Sequence, residues 1–201
     1  MSERRHDLYL LTPGPLTVSR EVKQEMLADR SPNAELHAGL TRKVLDYMLT
    51  LANGHGSHVA VPVQGSATYG IEAALHTLLP KDARLLVINN GFYGLRLREV
   101  AEGIGKDVVV LELPMIPPPD EATIAAALAA DPKITHAIVC HVDTGTGVLN
   151  DLAPISAACK ARGVKLMVDA VAAFGGFPID VKALDIEAVM ISPNKCLESV
   201  P

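Results

Sequence analysis

The sequence predicts an α/β fold in which a mainly parallel sheet is covered by helices on both faces. Short β-branched runs alternate with helical stretches from residue 59 onward, which is the rhythm of βαβ units. The runs are continuously apolar, as expected for strands buried on both sides of a parallel sheet. A chain of 201 residues, of which 49% are hydrophobic and 20% charged, is long enough to bury such a core.

An arm and two helices precede this alternation. Prolines and a glycine interrupt the apolar run at 8–16 and predict an extended arm. Ser19 is the predicted N-cap of a first helix from residue 20 to about residue 29. Apolar residues recur at steps of three and four over 36–51, which predicts a second helix that Asn53-Gly54 ends.

Six strands and four helices form the predicted alternation. The candidate strands are 59–63, 85–88, 108–111, 136–141, 165–168 and 188–191. The candidate helices are 66–79, 95–103, 121–130 and 154–162. The proline-rich segment 115–120 is predicted to be a stiff connection within one domain, because the alternation resumes directly after it.

Charge and hydropathy exclude two classes of function. The formal charge is −5, and the basic residues are scattered, whereas nucleic-acid binding needs clustered Lys and Arg. No apolar run reaches transmembrane length, and the first residues lack the apolar region of a signal peptide. We therefore expect a cytoplasmic protein with no nucleic-acid or membrane partner.

The cysteines and histidines do not predict a metal site. Cys140, Cys159 and Cys196 show no CxxC spacing and lie in or beside apolar stretches, as small buried hydrophobic residues in a reducing compartment would. His55 and His58 form the only close pair of possible ligands, in a Gly-rich turn without acidic or Cys company.

The ends of the predicted strands are where chemistry is expected, since parallel sheets bind ligands at their carboxyl edge. After 59–63, Gly65 precedes Ser66, Ala67 and Thr68 at the start of a helix. Backbone N–H groups there, together with the two hydroxyls, form a cup for a phosphate-sized anion. The alternative is a plain capped helix, and the Walker and dinucleotide fingerprints are absent.

Three other strand ends carry candidate ligand-binding groups. Tyr93, between two glycines, either stacks on a flat ring or packs on the core. Thr144 lies in a loop whose hydroxyls and glycines suit a ligand or solvent equally. Asp169 is an isolated carboxylate between apolar runs, which either needs a cation or caps the next turn. Lys195 follows the last predicted strand, and a single lysine at such a place is usually a surface residue.

Together these four groups are the parts that hold pyridoxal phosphate. The cup takes the 5'-phosphate and the aromatic ring covers the cofactor ring. Asp169 keeps the ring nitrogen protonated, and Lys195 forms the Schiff base.

Six segments resemble, in order and spacing, the class V pyridoxal-phosphate aminotransferases, over about residues 10–201. They read LLTPGPLTVSREVKQEML, QGSATYGIEAAL, NNGFYGLRLREVA, DPKITHAIVCHVDTGTGVLN, VDAVAAFGGFPIDVKALDI and SPNKCLESVP. The resemblance implies the fold type I large domain and a catalytic role for Lys195 and Asp169. The cofactor-binding residues that it implies are Ser66, Ala67, Thr68, Tyr93, Thr144, Asp169, Val171, Asn194 and Lys195. Gly14 of the arm is implied to line the substrate end of the pocket.

Within this family the motifs are most similar to the branch that moves the amino group of 2-aminoethylphosphonate to pyruvate, a step of phosphonate breakdown. Lys195 is implied to shuttle the proton, and the active enzyme is implied to be a homodimer. Ala67 and Gly145 stand where the family usually carries glycine and threonine. Alternatives are another class V aminotransferase, using alanine or serine with glyoxylate, and an inactive truncated relative.

The resemblance also implies a domain division. Residues 1–18 are an amino-terminal arm, and 19–201 are an incomplete cofactor-binding domain that lacks the carboxy-terminal small domain. In the family's sheet the next strand lies between the strand ending near Lys195 and the strand at 59–63. A gap with unpaired edges is therefore expected at that place.

Overall fold

A computed structural model describes residues 9–29 and 35–199 of the protein. The helices in these ranges are α1 (Arg20–Glu25), α2 (Glu35–Leu51), α3 (Ala67–Leu78), α4 (Phe92–Gly103), α5 (Glu121–Ala130) and α6 (Leu152–Arg162). The strands are β1 (Arg84–Asn89), β2 (Asp107–Glu112), β3 (Ile134–Cys140), β4 (Val142–Asp143), β5 (Val148–Leu149), β6 (Lys165–Asp169) and β7 (Ile186–Met190).

Five strands form one parallel sheet in the order β2-β1-β3-β6-β7. In its register Val139 of β3 lies opposite Val168 of β6, which lies opposite Val189 of β7. β4 and β5 form a small antiparallel hairpin after β3. The predicted α/β class with a parallel sheet is confirmed.

Two apolar clusters cover the two faces of the sheet. Alternate residues of each strand point to opposite sides, so one strand serves both clusters. Val87 of β1 packs in the cluster that contains α3 and α4. Its neighbour Ile88 packs in the cluster that contains α5 and α6. The helices therefore lie on both faces, as the continuous apolar runs predict.

Several element boundaries differ from the sequence predictions. α1 ends at Glu25 instead of near residue 29, because none of its residues is buried and a helix gains most stability by burying an apolar face. Its predicted N-cap is confirmed, since the Val22 N–H donates to Ser19 Oγ. α4 begins at Phe92, three residues before the predicted start. β6 includes Asp169 as its last residue.

The predicted strand at 59–63 is wrong. The segment has no ladder partner among the described residues, and Val59 and Val61 are 82% and 71% exposed. A strand needs a neighbour for its backbone hydrogen bonds, and a groove of about 730 Å³ lies between this segment and Val189 of β7. Within the described ranges β7 pairs with β6 alone. The groove lies where the resemblance places a further strand, which stays a prediction.

Two of the three cysteines are buried, as predicted. Cys140 and Cys159 are buried, and burial raises the pKa of the Cys159 thiol to about 12. Cys196 is exposed, contrary to prediction, because it lies in the turn after β7 instead of in an apolar element.

The described part of the chain contains no group of three His, Cys, Asp or Glu side chains placed to hold a metal ion. His58 Nε2 instead lies 2.8 Å from the Ile186 carbonyl oxygen. No helix in the described ranges has the length and apolarity needed to cross a membrane.

Candidate active site

The start of α3 leaves hydrogen-bond donors free. Gly65 has φ +131°, and a methyl group there would overlap the ring of Tyr69, so the turn needs glycine. Ser66 is the N-cap, but its side chain makes no capping hydrogen bond. The first turn of a helix has amide groups without intrahelical acceptors, and Ala67 and Thr68 occupy that turn. This helix start has the form that an anion site needs, and the phosphate cup at Ser66, Ala67 and Thr68 stays a prediction.

A cavity of about 520 Å³ brings together side chains from three of the predicted strand ends. Thr68 comes from the cup, Tyr93 from the start of α4, and Thr144 from the loop after β3. The remaining lining residues are Phe92, Arg96 and Gly145. Tyr93 is 42% exposed, so its ring is not part of the packed core. Tyr93 and Thr144 follow the parallel strands β1 and β3, whose carboxyl ends lie at one edge of the sheet, whereas Thr68 follows a segment that forms no strand.

Asp169 is a buried carboxylate with few partners. It is 3% exposed, and the one protein donor to its carboxylate among the described residues is the Val171 N–H, 3.0 Å from Oδ1. The pKa of Asp169 is raised to about 6, mainly by burial and in part by the negative charge of Asp143, while the Val171 hydrogen bond opposes the change. Such a group is suited to a cationic ligand, such as a protonated ring nitrogen.

Lys195 lies in a turned loop after β7, beside the end of β6. The Ala170 N–H donates to the Met190 carbonyl oxygen at 2.9 Å, which joins the two strand ends. The Lys195 carbonyl accepts from the Glu198 N–H at 2.9 Å and fixes the turn. The Asn194 side chain accepts a hydrogen bond from the Ser192 hydroxyl.

The amino-terminal arm reaches this loop. Gly14 lies directly against Lys195, because a methyl group at position 14 would overlap the Lys195 ammonium and side-chain carbons. Its φ of +147° also disfavours any other residue. The Ser19 N–H donates to Glu198 Oε1 at 2.6 Å, which ties the arm to the lysine loop. The structure therefore places Gly14 and Lys195 together.

Not every predicted residue lines the cavity. Asp169, at the end of β6, and Val171, Asn194 and Lys195, in the loops after β6 and β7, are outside its lining. Gly14, Ser66 and Ala67 are outside it as well. The groups present nevertheless fit pyridoxal phosphate. They are a buried carboxylate that forms no ion pair among the described residues, a helix start without a side-chain cap, and a lysine in the adjacent loop.

Asp143 is a residue whose importance the sequence does not reveal. It is 1% exposed, and its carboxylate accepts hydrogen bonds from three backbone N–H groups. Backbone donors carry no sequence signature, so the loop composition indicates only a polar segment. The only sequence signal available is an acid directly before Thr144.

A comparison with protein families gives a match to the family described as aminotransferase class V, over residues 50–198. The chain belongs to the class V aminotransferases. The predicted family is therefore confirmed, and so is the cofactor, since enzymes of this family use pyridoxal phosphate.

Curated relatives extend well beyond the matched region. The 2-aminoethylphosphonate–pyruvate transaminase of Pseudomonas putida is 41% identical over 192 residues, which are 96% of this chain and 52% of that protein. The enzyme of the same name from Burkholderia pseudomallei is 43% identical over 201 residues, 100% of this chain and 54% of that protein. This class V chain thus spans about half the length of these relatives.

A solved structure shows the same fold. The pyridoxamine–pyruvate aminotransferase of Mesorhizobium loti superposes with a TM-score of 0.88 at 29% identity, over 100% of this chain and 51% of that one. The fold type I prediction is confirmed by this similarity.

Proposed function

We propose that this class V chain takes part in transferring the amino group of 2-aminoethylphosphonate to pyruvate, which gives phosphonoacetaldehyde and alanine. The observation that carries the proposal is the pairing of a buried, cation-free Asp169 with the neighbouring Lys195 loop. The substrate assignment is supported by relatives of that name at 41% and 43% identity. We assign 1–18 as the arm and 19–201 as part of the cofactor-binding domain.

The residues of the carboxyl edge divide the work of holding the cofactor. Lys195 Nζ would hold it covalently, and the ionised Asp169 would keep a proton on its ring nitrogen. The cup of Ser66, Ala67 and Thr68 binds its phosphate with helix-start amides and hydroxyls. The remaining contacts come from Tyr93, Thr144, Val171 and Asn194.

When bound, pyridoxal phosphate supplies an electron-withdrawing ring that weakens the C–H bond beside the substrate amine. Once the substrate amine has displaced it from the cofactor, Lys195 Nζ would be a free amine that can accept this proton and give it back, which is general acid–base chemistry by a positioned amine. Gly14 lies against Lys195 and allows the amine to reach this point, because a side chain at position 14 would overlap Lys195.

A second candidate is transamination by another class V activity, with alanine or serine as donor and glyoxylate as acceptor. The solved relative from Mesorhizobium loti is named for a different amino donor, pyridoxamine, at 29% identity. Enzymes of this fold are therefore named for different amino donors. The response to single amino donors distinguishes the two candidates.

We also infer a homodimer. Large apolar side chains are exposed beside the cavity, namely Tyr69 at 60%, Phe92 at 62% and Leu95 at 40%. An apolar surface of this kind is typical of an interface. The mass of the protein by light scattering tests this inference, and a monomer at every concentration contradicts it.

The cofactor assignment is tested by borohydride reduction of the protein with added pyridoxal phosphate, followed by peptide mass spectrometry. We expect the reduced cofactor on Lys195, and a visible absorbance band that Lys195→Ala abolishes. Lys182→Ala is the matched control, because Lys182 is exposed and distant from the carboxyl edge, and it should keep the band. A label on another lysine, or a band that persists in Lys195→Ala, would refute the assignment.

The substrate is tested by mixing the loaded protein with single amino donors. We expect 2-aminoethylphosphonate to bleach the visible band faster than alanine or serine. A faster response to alanine or serine would favour the second candidate. Gly14→Ala should lower the response to every donor, since its methyl group displaces Lys195.

A further inference from the structure

Asp143 joins two segments that line the cavity. One carboxylate oxygen, Oδ2, accepts from the Tyr93 N–H at the start of α4, at 2.8 Å. The other oxygen, Oδ1, accepts from the Gly145 N–H at 2.9 Å and from the Thr146 N–H at 3.2 Å. A single buried side chain thus bonds to α4 with one oxygen and to its own loop with the other.

The start of α4 depends on this carboxylate. The N-cap residue of α4 is Gly91, which has no side chain to accept the first amide protons. Asp143 does so from a position 50 residues later in the chain. Its negative charge is also favourable at the positive end of a helix. This tertiary cap explains why α4 begins at Phe92, earlier than its sequence pattern predicts.

The approach between the two segments is close. A methyl group at Gly91 would overlap the Asp143 carboxylate, and one at Gly145 would overlap the ring of Phe92. Phe92, Tyr93 and Gly145 all line the cavity, as does Thr144. A change in the hydrogen bonds of Asp143 therefore alters the spacing of cavity-lining groups.

We propose that Asp143 is a positioning residue for the cofactor, which sets the spacing between Tyr93 and Thr144 through its three backbone hydrogen bonds. The proposal rests on the proposed function, because Tyr93 and Thr144 are assigned there as cofactor contacts. Asp143 acts through these two residues and does not itself line the cavity.

Four variants test the proposal. Asp143→Asn keeps the size of the side chain but turns an amide N–H₂ group toward one of the backbone donors. Asp143→Glu keeps both acceptor oxygens and the negative charge. Gly91→Ala crowds the carboxylate without removing its charge. Gly103→Ala is the matched control at the other end of α4, since nothing lies within 4 Å of a methyl group there.

Two measurements are made on each variant. Amide hydrogen exchange of the cofactor-free protein reports the hydrogen bonds of Tyr93 and Gly145. Cofactor affinity and the induced circular dichroism of bound pyridoxal phosphate report the position of its ring. We expect Asp143→Asn to speed exchange at Tyr93 by about tenfold, the effect of losing a hydrogen bond to a charged acceptor. We expect a similar loss of affinity and an altered dichroism.

The other variants sharpen the interpretation. Gly91→Ala should reproduce the altered dichroism of Asp143→Asn, whereas Asp143→Glu should return toward the wild-type values and Gly103→Ala should equal them. Faster exchange in Asp143→Asn with unchanged affinity and dichroism would overturn the proposal, because Asp143 would then be only a helix cap. A wild-type protein that binds no pyridoxal phosphate through Lys195 would overturn the proposed function as well.

Discussion

Two buried carboxylates at the same edge of the sheet differ in the number of hydrogen bonds that they accept. Asp143 is 1% exposed and accepts from three backbone N–H groups. Asp169 is 3% exposed and accepts from one, and burial with the charge of Asp143 raises its pKa to about 6. Both carboxylates are buried, so the number of hydrogen-bond donors is what distinguishes Asp143, which joins two segments of the fold, from Asp169, which we propose binds a cation.

The largest expected effect comes from removing the negative charge of Asp169. Asp169→Asn should weaken the binding of pyridoxal phosphate by about 100-fold or more, because a buried cation left without its partner costs roughly 3 kcal/mol. Titration of the visible absorbance band measures the affinity. Asp82→Asn, on an exposed turn, is the control and should bind as wild type does. An Asp169→Asn protein with wild-type affinity would remove the distinction drawn between the two carboxylates.

The same substitution at the two positions should change stability in opposite directions. In the cofactor-free protein at neutral pH, Asp143→Asn should lower the free energy of unfolding by about 2–3 kcal/mol, because a buried N–H loses its acceptor. Asp169→Asn should raise it by about 1–2 kcal/mol, because a buried charge with one donor is removed. Urea unfolding at matched protein concentration measures both. Two losses of equal size would show that both carboxylates serve the fold.

The smallest expected effect is a pH dependence. The pKa of Asp169 is raised from 3.8 to about 6, so the folded cofactor-free protein binds this proton more tightly than the unfolded chain does. Protonation of Asp169 therefore stabilises the fold. Its destabilising contribution is fully present above pH 6 and disappears as the pH falls toward 3.8.

The wild-type protein and Asp169→Asn should thus converge in stability between these pH values. Hydrogen bonds lower the carboxyl pKa of Asp131 and Asp180, which makes both proteins less stable as the pH falls. Because this contribution is the same in the wild type and in Asp169→Asn, it does not affect the difference in stability between them. Cofactor affinity should show the reverse trend, weakening below about pH 6 as Asp169 loses its charge. A stability difference that is flat with pH would contradict the raised pKa.

The sequence supports prediction of the groups that lie at strand ends. Asp169 and Lys195 follow apolar runs directly, and a parallel sheet brings such ends to one edge without further information. The cup at Ser66 is also local, since Gly65 and a helix start suffice to form it. These features depend on neighbouring residues in the chain or on the sheet topology, and both can be read from the pattern of residue types along the sequence.

The remaining features depend on contacts between distant segments. The apolar segment 59–63 has the composition of a strand, but a strand also needs a partner, and none pairs with it in the described ranges. Asp143 bonds to backbone N–H groups, which every residue type provides. The contact of Gly14 with Lys195 joins the arm to the loop after β7. No pattern of spacing or composition encodes these three results.

The tie between the arm and the lysine loop has a consequence for folding. Ser19 and Glu198, which form it, are 179 residues apart in sequence. Contacts of such separation carry a large loop-closure entropy and form slowly compared with local ones. During synthesis the arm is made before the Lys195 loop and can dock only when that loop has been made. The surroundings of Lys195 are therefore complete only after both segments have been synthesised.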